Sequence, residues 1–114
     1  MLCSPNNPTG SVYTLENLQA LVEVLKKHPH VNVLADEIYQ HILYTGKHET
    51  LAQFPELEDR LIIINGVSKA YAMTGYRIGW LASHDKELIT AVKRLQGQTI
   101  SCATTIAQRA AEAA

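Results

Sequence analysis

Apolar residues recur at helical spacing from Leu15 onward, with Leu15, Leu18, Leu21, Val22 and Leu25 on one face. Thr14 is placed to cap that helix, Lys26 and Lys27 put positive charge on its exposed carbonyl end, and Pro29 stops it. The pattern then changes. Residues 31–35 form a short apolar run ending at Asp36-Glu37, and Leu61-Ile62-Ile63-Ile64 form a second, so both are expected to be buried strands. After the second, Asn65-Gly66 is read as a flexible turn. Residues 77–83 predict a third strand, with Ile78, Trp80 and Ala82 on one face and Arg77, Gly79 and Leu81 on the other.

Ser83 is a candidate cap for a further helix carrying Asp85 and Glu87 in its first turn and Leu88, Val92 and Leu95 on its stripe. After Gly97, a final helix is expected over much of residues 104–114. The charged segment 44–60, with Gly46 and Pro55, reads as a surface connection with one irregular turn. Continuous apolar strands joined to amphipathic helices predict an α/β fold, with the sheet covered on both faces. The chain opens in the turn-forming stretch Cys3-Ser4-Pro5-Asn6-Asn7-Pro8-Thr9-Gly10 and closes in an alanine-rich helix, which leads us to expect material missing at both ends.

Composition narrows the function. The 114 residues are 46% hydrophobic, enough for a core, and 10 Lys and Arg against 11 Asp and Glu give a formal charge of -1. The basic residues are dispersed, which disfavours a nucleic-acid partner. No apolar run suits a membrane span and no secretory signal is visible, so a soluble, cytoplasmic protein is expected. Cys3 and Cys102 are expected as free thiols. The five histidines form no ligand cluster, so no metal is expected.

In open α/β sheets, ligands collect beyond the carboxyl ends of the strands. That rule groups Asp36 to Tyr39, Ser68-Lys69, and the Asn6-to-Gly10 loop if another strand precedes it, with Arg77 close in sequence. A desolvated Lys69 could attack a carbonyl to form a Schiff base, although an arbitrary lysine is usually a solvated surface residue. Asp36 at a buried strand end needs a partner: a protonated ring nitrogen, a cap, or an ion pair to Arg77 would each serve. Its neighbour Glu37 points elsewhere and reads as structural. Tyr39 could donate to a cofactor oxygen or simply pack its ring, and Asn7 could bind a ring substituent or close the turn before Pro8. Arg77 offers a fork of donors for phosphate or carboxylate, or could be a buried ion-pair partner.

Taken together, Asn7-Pro8-Thr9-Gly10, Asp36-Glu37-Ile38-Tyr39 and the run from Ser68-Lys69-Ala70-Tyr71 through Gly75-Tyr76-Arg77-Ile78-Gly79-Trp80 resemble the class I and II aminotransferases of the fold-type I pyridoxal-phosphate family. They stand in that family's order and at about its spacing, and the resemblance takes in essentially the whole chain. It implies a mostly parallel sheet with helices on both faces, residues 1–114 being part of the large, cofactor-binding domain. It also implies that an N-terminal segment and a C-terminal small domain are absent.

Carried over residue by residue, the resemblance implies that Lys69 holds pyridoxal 5'-phosphate as a Schiff base and shuttles the substrate proton. Asp36 would pair with the pyridine nitrogen and strengthen the ring as an electron sink. Tyr39 and Asn7 would bond the ring's phenolic oxygen, Arg77 would clamp the phosphate, and Ser68 would add a phosphate contact. Where many relatives carry a phosphate-binding serine three residues before the lysine, this chain has Gly66. The motif run looks most like the bacterial aspartate-type branch, so the expected substrates of the parent are an amino acid such as aspartate and a 2-oxo acid. Members are commonly homodimers. Other fold-type I chemistries, lyase or synthase, or a non-catalytic scaffold are the alternatives. The piece alone is expected to be inactive.

Overall fold

A computed structural model describes all 114 residues. Strand β1 (Leu2–Cys3) leads through the Pro-rich loop to helix α1 (Leu15–Lys26), and strand β2 (Val33–Asp36) follows. Two 3-10 helices, Leu51–Gln53 and Pro55–Arg60, lead into β3 (Leu61–Gly66), which passes directly into the short helix α2 (Val67–Ala70). A 3-10 turn at Thr74–Tyr76 precedes β4 (Gly79–Ser83), and helices α3 (Lys86–Thr99) and α4 (Thr105–Ala113) complete the chain.

The four strands lie side by side in chain order. β1 pairs with β2 and β2 with β3 in parallel, while β3 and β4 run antiparallel, with Ile64 opposite Leu81 and Gly66 opposite Gly79. The sheet is therefore mostly parallel, and β1 supplies the strand needed ahead of the Asn-Pro loop. Parallel neighbours require long crossovers, which α1 and the 3-10 segment provide.

Register fixes which side chains share a face. Val33 pairs with Leu61 and Ala35 with Ile63, so these four point to one side and Leu34, Ile62 and Ile64 to the other. The first side holds the core, in which Leu18 and Val22 of α1 meet Val33, Ala35, Leu61, Leu51 and Leu57. Segment 44–60 thus corrects the surface-connection reading. Leu51 and Leu57 are 2% and 0% exposed, and their two 3-10 turns are part of the core wall. The side carrying Leu34, Ile62 and Ile64 is only half-buried. A self-contained chain of this length has a radius of gyration of roughly 13 Å; this one measures 15.4 Å. Trp80, Leu95, Ile100 and Ile106 remain exposed.

The helix ends show why each segment stops where it does. Thr14 Oγ1 accepts from the Asn17 amide at 3.3 Å while Asn17 Oδ1 accepts from the Thr14 amide at 3.1 Å, a reciprocal cap. At the other end of α1, the Arg60 guanidinium donates to the carbonyls of Leu25, His28 and Val31, each at 2.9 Å. Asp85, not Ser83, caps α3 by accepting from the Leu88 amide at 2.9 Å. Ser83 instead donates to the Leu61 carbonyl and ties β4 to β3. Gly97 lies inside α3 rather than after it. Both cysteines are free thiols, and no helix is long and apolar enough to cross a membrane.

Candidate functional site

β1 delivers the Ser4-to-Gly10 loop to the carboxyl edge of the sheet, where β2 delivers Asp36 to Tyr39. The two adjacent asparagines of the loop divide the work. Asn6 closes the turn: its Oδ1 accepts from the Thr9 amide and hydroxyl, and its carbonyl from the Gly10 amide. Asn7 is released from that duty and donates from Nδ2 to the Tyr39 hydroxyl at 3.0 Å. Lys69 Nζ stands 5.8 Å from the centre of the same Tyr39 ring, at the outer reach of a cation–π contact. Three groups from distant parts of the chain, an amide, a phenol and an amine, therefore meet at one ring.

Asp36 ends β2 and turns its own chain, with Oδ1 accepting from the Ile38 amide at 3.2 Å. Of the partners open to it on sequence grounds, an ion pair with Arg77 is not formed. Arg77 is exposed, lies in the left-handed region (φ 55°, ψ 44°) just before β4, and donates to the Thr74 carbonyl at 2.7 Å. It is thus neither a strand residue nor a buried ion-pair partner, because the chain turns at Thr74–Tyr76 before the ladder with β3 begins. It borders an open cleft of roughly 590 Å³ together with Tyr76, Cys102, Thr104 and Ile106. Glu37, as expected, is structural in its contacts: it is buried, accepts from the Thr50 hydroxyl at 2.6 Å, and lies beside His48.

Ser68 and Lys69 sit on α2, a single helical turn that the residue pattern did not reveal. Lys69 is exposed rather than desolvated in this chain. Nor is Asn65-Gly66 a flexible turn. Both residues are buried within β3, and Asn65 Oδ1 accepts from the Gly66 amide at 2.8 Å. Gly66 is there for space: a Cβ on it would lie 2.7 Å from the Ile78 carbonyl oxygen and 3.0 Å from Gly79 Cα. This close approach of β3 and β4 brings the start of α2 alongside the residues that follow Arg77.

A family model described as aminotransferase class I and II matches residues 1–114. The chain belongs to the class I and II aminotransferases. It is 49% identical across its full length to an aspartate aminotransferase of Pinus pinaster, of which it covers 23%. It is 51% identical over 95% of its length to a probable aspartate/prephenate aminotransferase of Rickettsia bellii, covering 27% of that protein. The crystal structure of the aspartate aminotransferase from Rhizobium meliloti superimposes with a TM-score of 0.88 and 49% identity, covering 94% of this chain and 27% of that one. An aromatic aminotransferase from Pyrococcus horikoshii OT3 superimposes at 0.90 with 34% identity, over 96% of this chain and 29% of that one. The chain spans about a quarter of the length of these relatives.

Within this aminotransferase segment, Asn7 and Lys69 each reach Tyr39, Asp36 ends the strand that leads to Tyr39, Ser68 adjoins Lys69, and Arg77 borders the open cleft. The Glu37, His48 and Thr50 cluster was not anticipated. Its only signal in the sequence is the polar spacing of His48 and Thr50 within a stretch otherwise read as solvent-facing.

Proposed function

We propose that the chain is part of the large, cofactor-binding domain of a pyridoxal-phosphate-dependent aminotransferase that moves an amino group from an amino acid to a 2-oxo acid. The observation that carries this reading is the convergence of Asn7 and Lys69 on Tyr39. The donor set suits the cofactor: an amide–phenol pair for a ring oxygen, a strand-end carboxylate for a ring nitrogen, an amine for the aldehyde, and an accessible guanidinium for phosphate. When bound, pyridoxal phosphate supplies a ring that spreads the negative charge developing at the substrate α-carbon.

The residues of the chain have separable tasks in this reading. Asp36 keeps the ring nitrogen protonated by offering it a carboxylate. Tyr39 and Asn7 hold the ring oxygen through their hydroxyl and amide hydrogens. Lys69 anchors the cofactor, then takes and returns a proton at Nζ. Arg77 binds phosphate through the donors its Thr74 contact leaves free, and Ser68 adds a hydroxyl. With Gly66 closed against Ile78 and Gly79, that position contributes no side chain to phosphate. The names of the relatives from Pinus pinaster and Rhizobium meliloti favour aspartate as amino donor. The parent enzyme is read as a cytoplasmic homodimer.

Titration with pyridoxal phosphate tests the reading. The chain develops a visible absorption band that Lys69→Ala abolishes; an equal band in Lys69→Ala rejects the assignment.

A further inference from the structure

Glu37 is the one acidic residue of the chain that is buried, at 7% exposure. A carboxylate taken out of water is costly unless hydrogen-bonded, so its partners are informative. Oε1 accepts from the Thr50 hydroxyl at 2.6 Å, and Oε2 lies 3.3 Å from His48 Nε2. The two ring nitrogens of His48 are themselves shut off from water and make no hydrogen bond. Glu37 is also held through its main chain. Its amide donates to the Ile64 carbonyl at 2.9 Å, extending the β2–β3 ladder, and its carbonyl accepts from the Gln40 amide at 2.9 Å.

Side chains alternate along extended backbone, so a Glu37 turned into the core turns Asp36 to the opposite side. The turn that Glu37 begins also carries Tyr39, whose carbonyl accepts from the Ile42 amide at 2.8 Å. We propose that Glu37, Thr50 and His48 form a positioning cluster that fixes the direction of the Asp36-to-Tyr39 turn from behind, and so aims Asp36 and Tyr39 at the cofactor ring. None of the three touches the cofactor. The proposal rests on the cofactor reading for its purpose, and on the geometry alone for its hold on the turn. A side chain that locks a neighbour in its working orientation is the common support for a precise site.

The test uses the full chain and four variants: Glu37→Ala and Thr50→Val, which break the cluster, and Glu37→Gln and Thr50→Ser, which keep an acceptor and a donor in place. Amide exchange at Gln40 and Ile42 reports on the turn without cofactor. The pH midpoint of the visible band with pyridoxal phosphate reports on how Asp36 and Tyr39 meet the ring. In the breaking variants exchange rises about tenfold, as for one lost buried hydrogen bond, and the midpoint moves by about half a pH unit or more. The conservative variants stay near the parent chain. If Glu37→Ala fails to fold, Thr50→Val alone decides. Folded breaking variants with unchanged exchange and midpoint overturn the proposal. A parent chain without a Lys69-dependent band rejects the cofactor reading instead, and amide exchange then judges the hold on the turn by itself.

Discussion

The side-chain amide of Asn7 donates to the hydroxyl of Tyr39 at 3.0 Å, joining the loop after β1 to the turn after β2. Deleting either partner removes the bond and leaves the other group free to meet water, because Asn7 is exposed. In a double-mutant cycle of Asn7→Ala and Tyr39→Phe, followed by urea unfolding, we expect a coupling of about 0.5–1 kcal/mol. Strictly additive effects would mean that the two side chains do not interact in solution.

Leu57 is fully buried although it sits in the charged stretch Pro-Glu-Leu-Glu-Asp. Leu57→Ala is expected to cost about 2–5 kcal/mol of unfolding free energy. Tyr44→Ala, at a side chain 96% exposed, should change it by less than about 0.5 kcal/mol. Equal effects in urea melts would return the whole segment to the surface.

Gly66→Ser places a Cβ 2.7 Å from the Ile78 carbonyl oxygen. Backbone has to move to admit it, at an expected cost of about 1–3 kcal/mol. Thermal melting checks this. A neutral or stabilising Gly66→Ser would show that β3 and β4 can separate there, and that the position is open to a phosphate-binding hydroxyl after all.

Arg60 gathers three carbonyls at and beyond the end of α1. Bonds to a charged donor contribute more than neutral ones, so Arg60→Ala is expected to lose about 1.5–3 kcal/mol. It should also raise amide exchange at the last turn of α1. Arg60→Lys, a point charge without the planar fork, should recover only part of the loss.

What could be read from the chain, and what could not, follows from how local each signal is. α1 was legible, its start included, because its stripe, Thr14 cap and Pro29 stop all lie within one short segment. The strands at Val33–Asp36 and Leu61–Gly66 were legible as apolar runs. Leu51 and Leu57 were not, since short 3-10 turns lack a sustained period and their burial is decided by packing on α1 and β3. Asn6 and Asn7 have the same chemistry, so only the path of the backbone could assign one to the turn and the other to Tyr39. Ser83 was read as the cap of α3 with Asp85 inside its first turn, but Ser83 is drawn to the Leu61 carbonyl, 22 positions away, and Asp85 takes the cap. At the site, the motifs named Asn7, Asp36, Tyr39, Ser68, Lys69 and Arg77. The Glu37 cluster depends on a contact with Thr50 across the intervening loop, and no motif announces it.

The central claim concerns Lys69, and chemical trapping tests it most directly. The chain is incubated with pyridoxal phosphate, reduced with borohydride, digested, and the modified peptide identified by mass. The account predicts that Lys69 carries the label ahead of the other lysines, and that Tyr39→Phe weakens the preference. Label spread evenly over Lys26, Lys27, Lys47, Lys86 and Lys93 would contradict it.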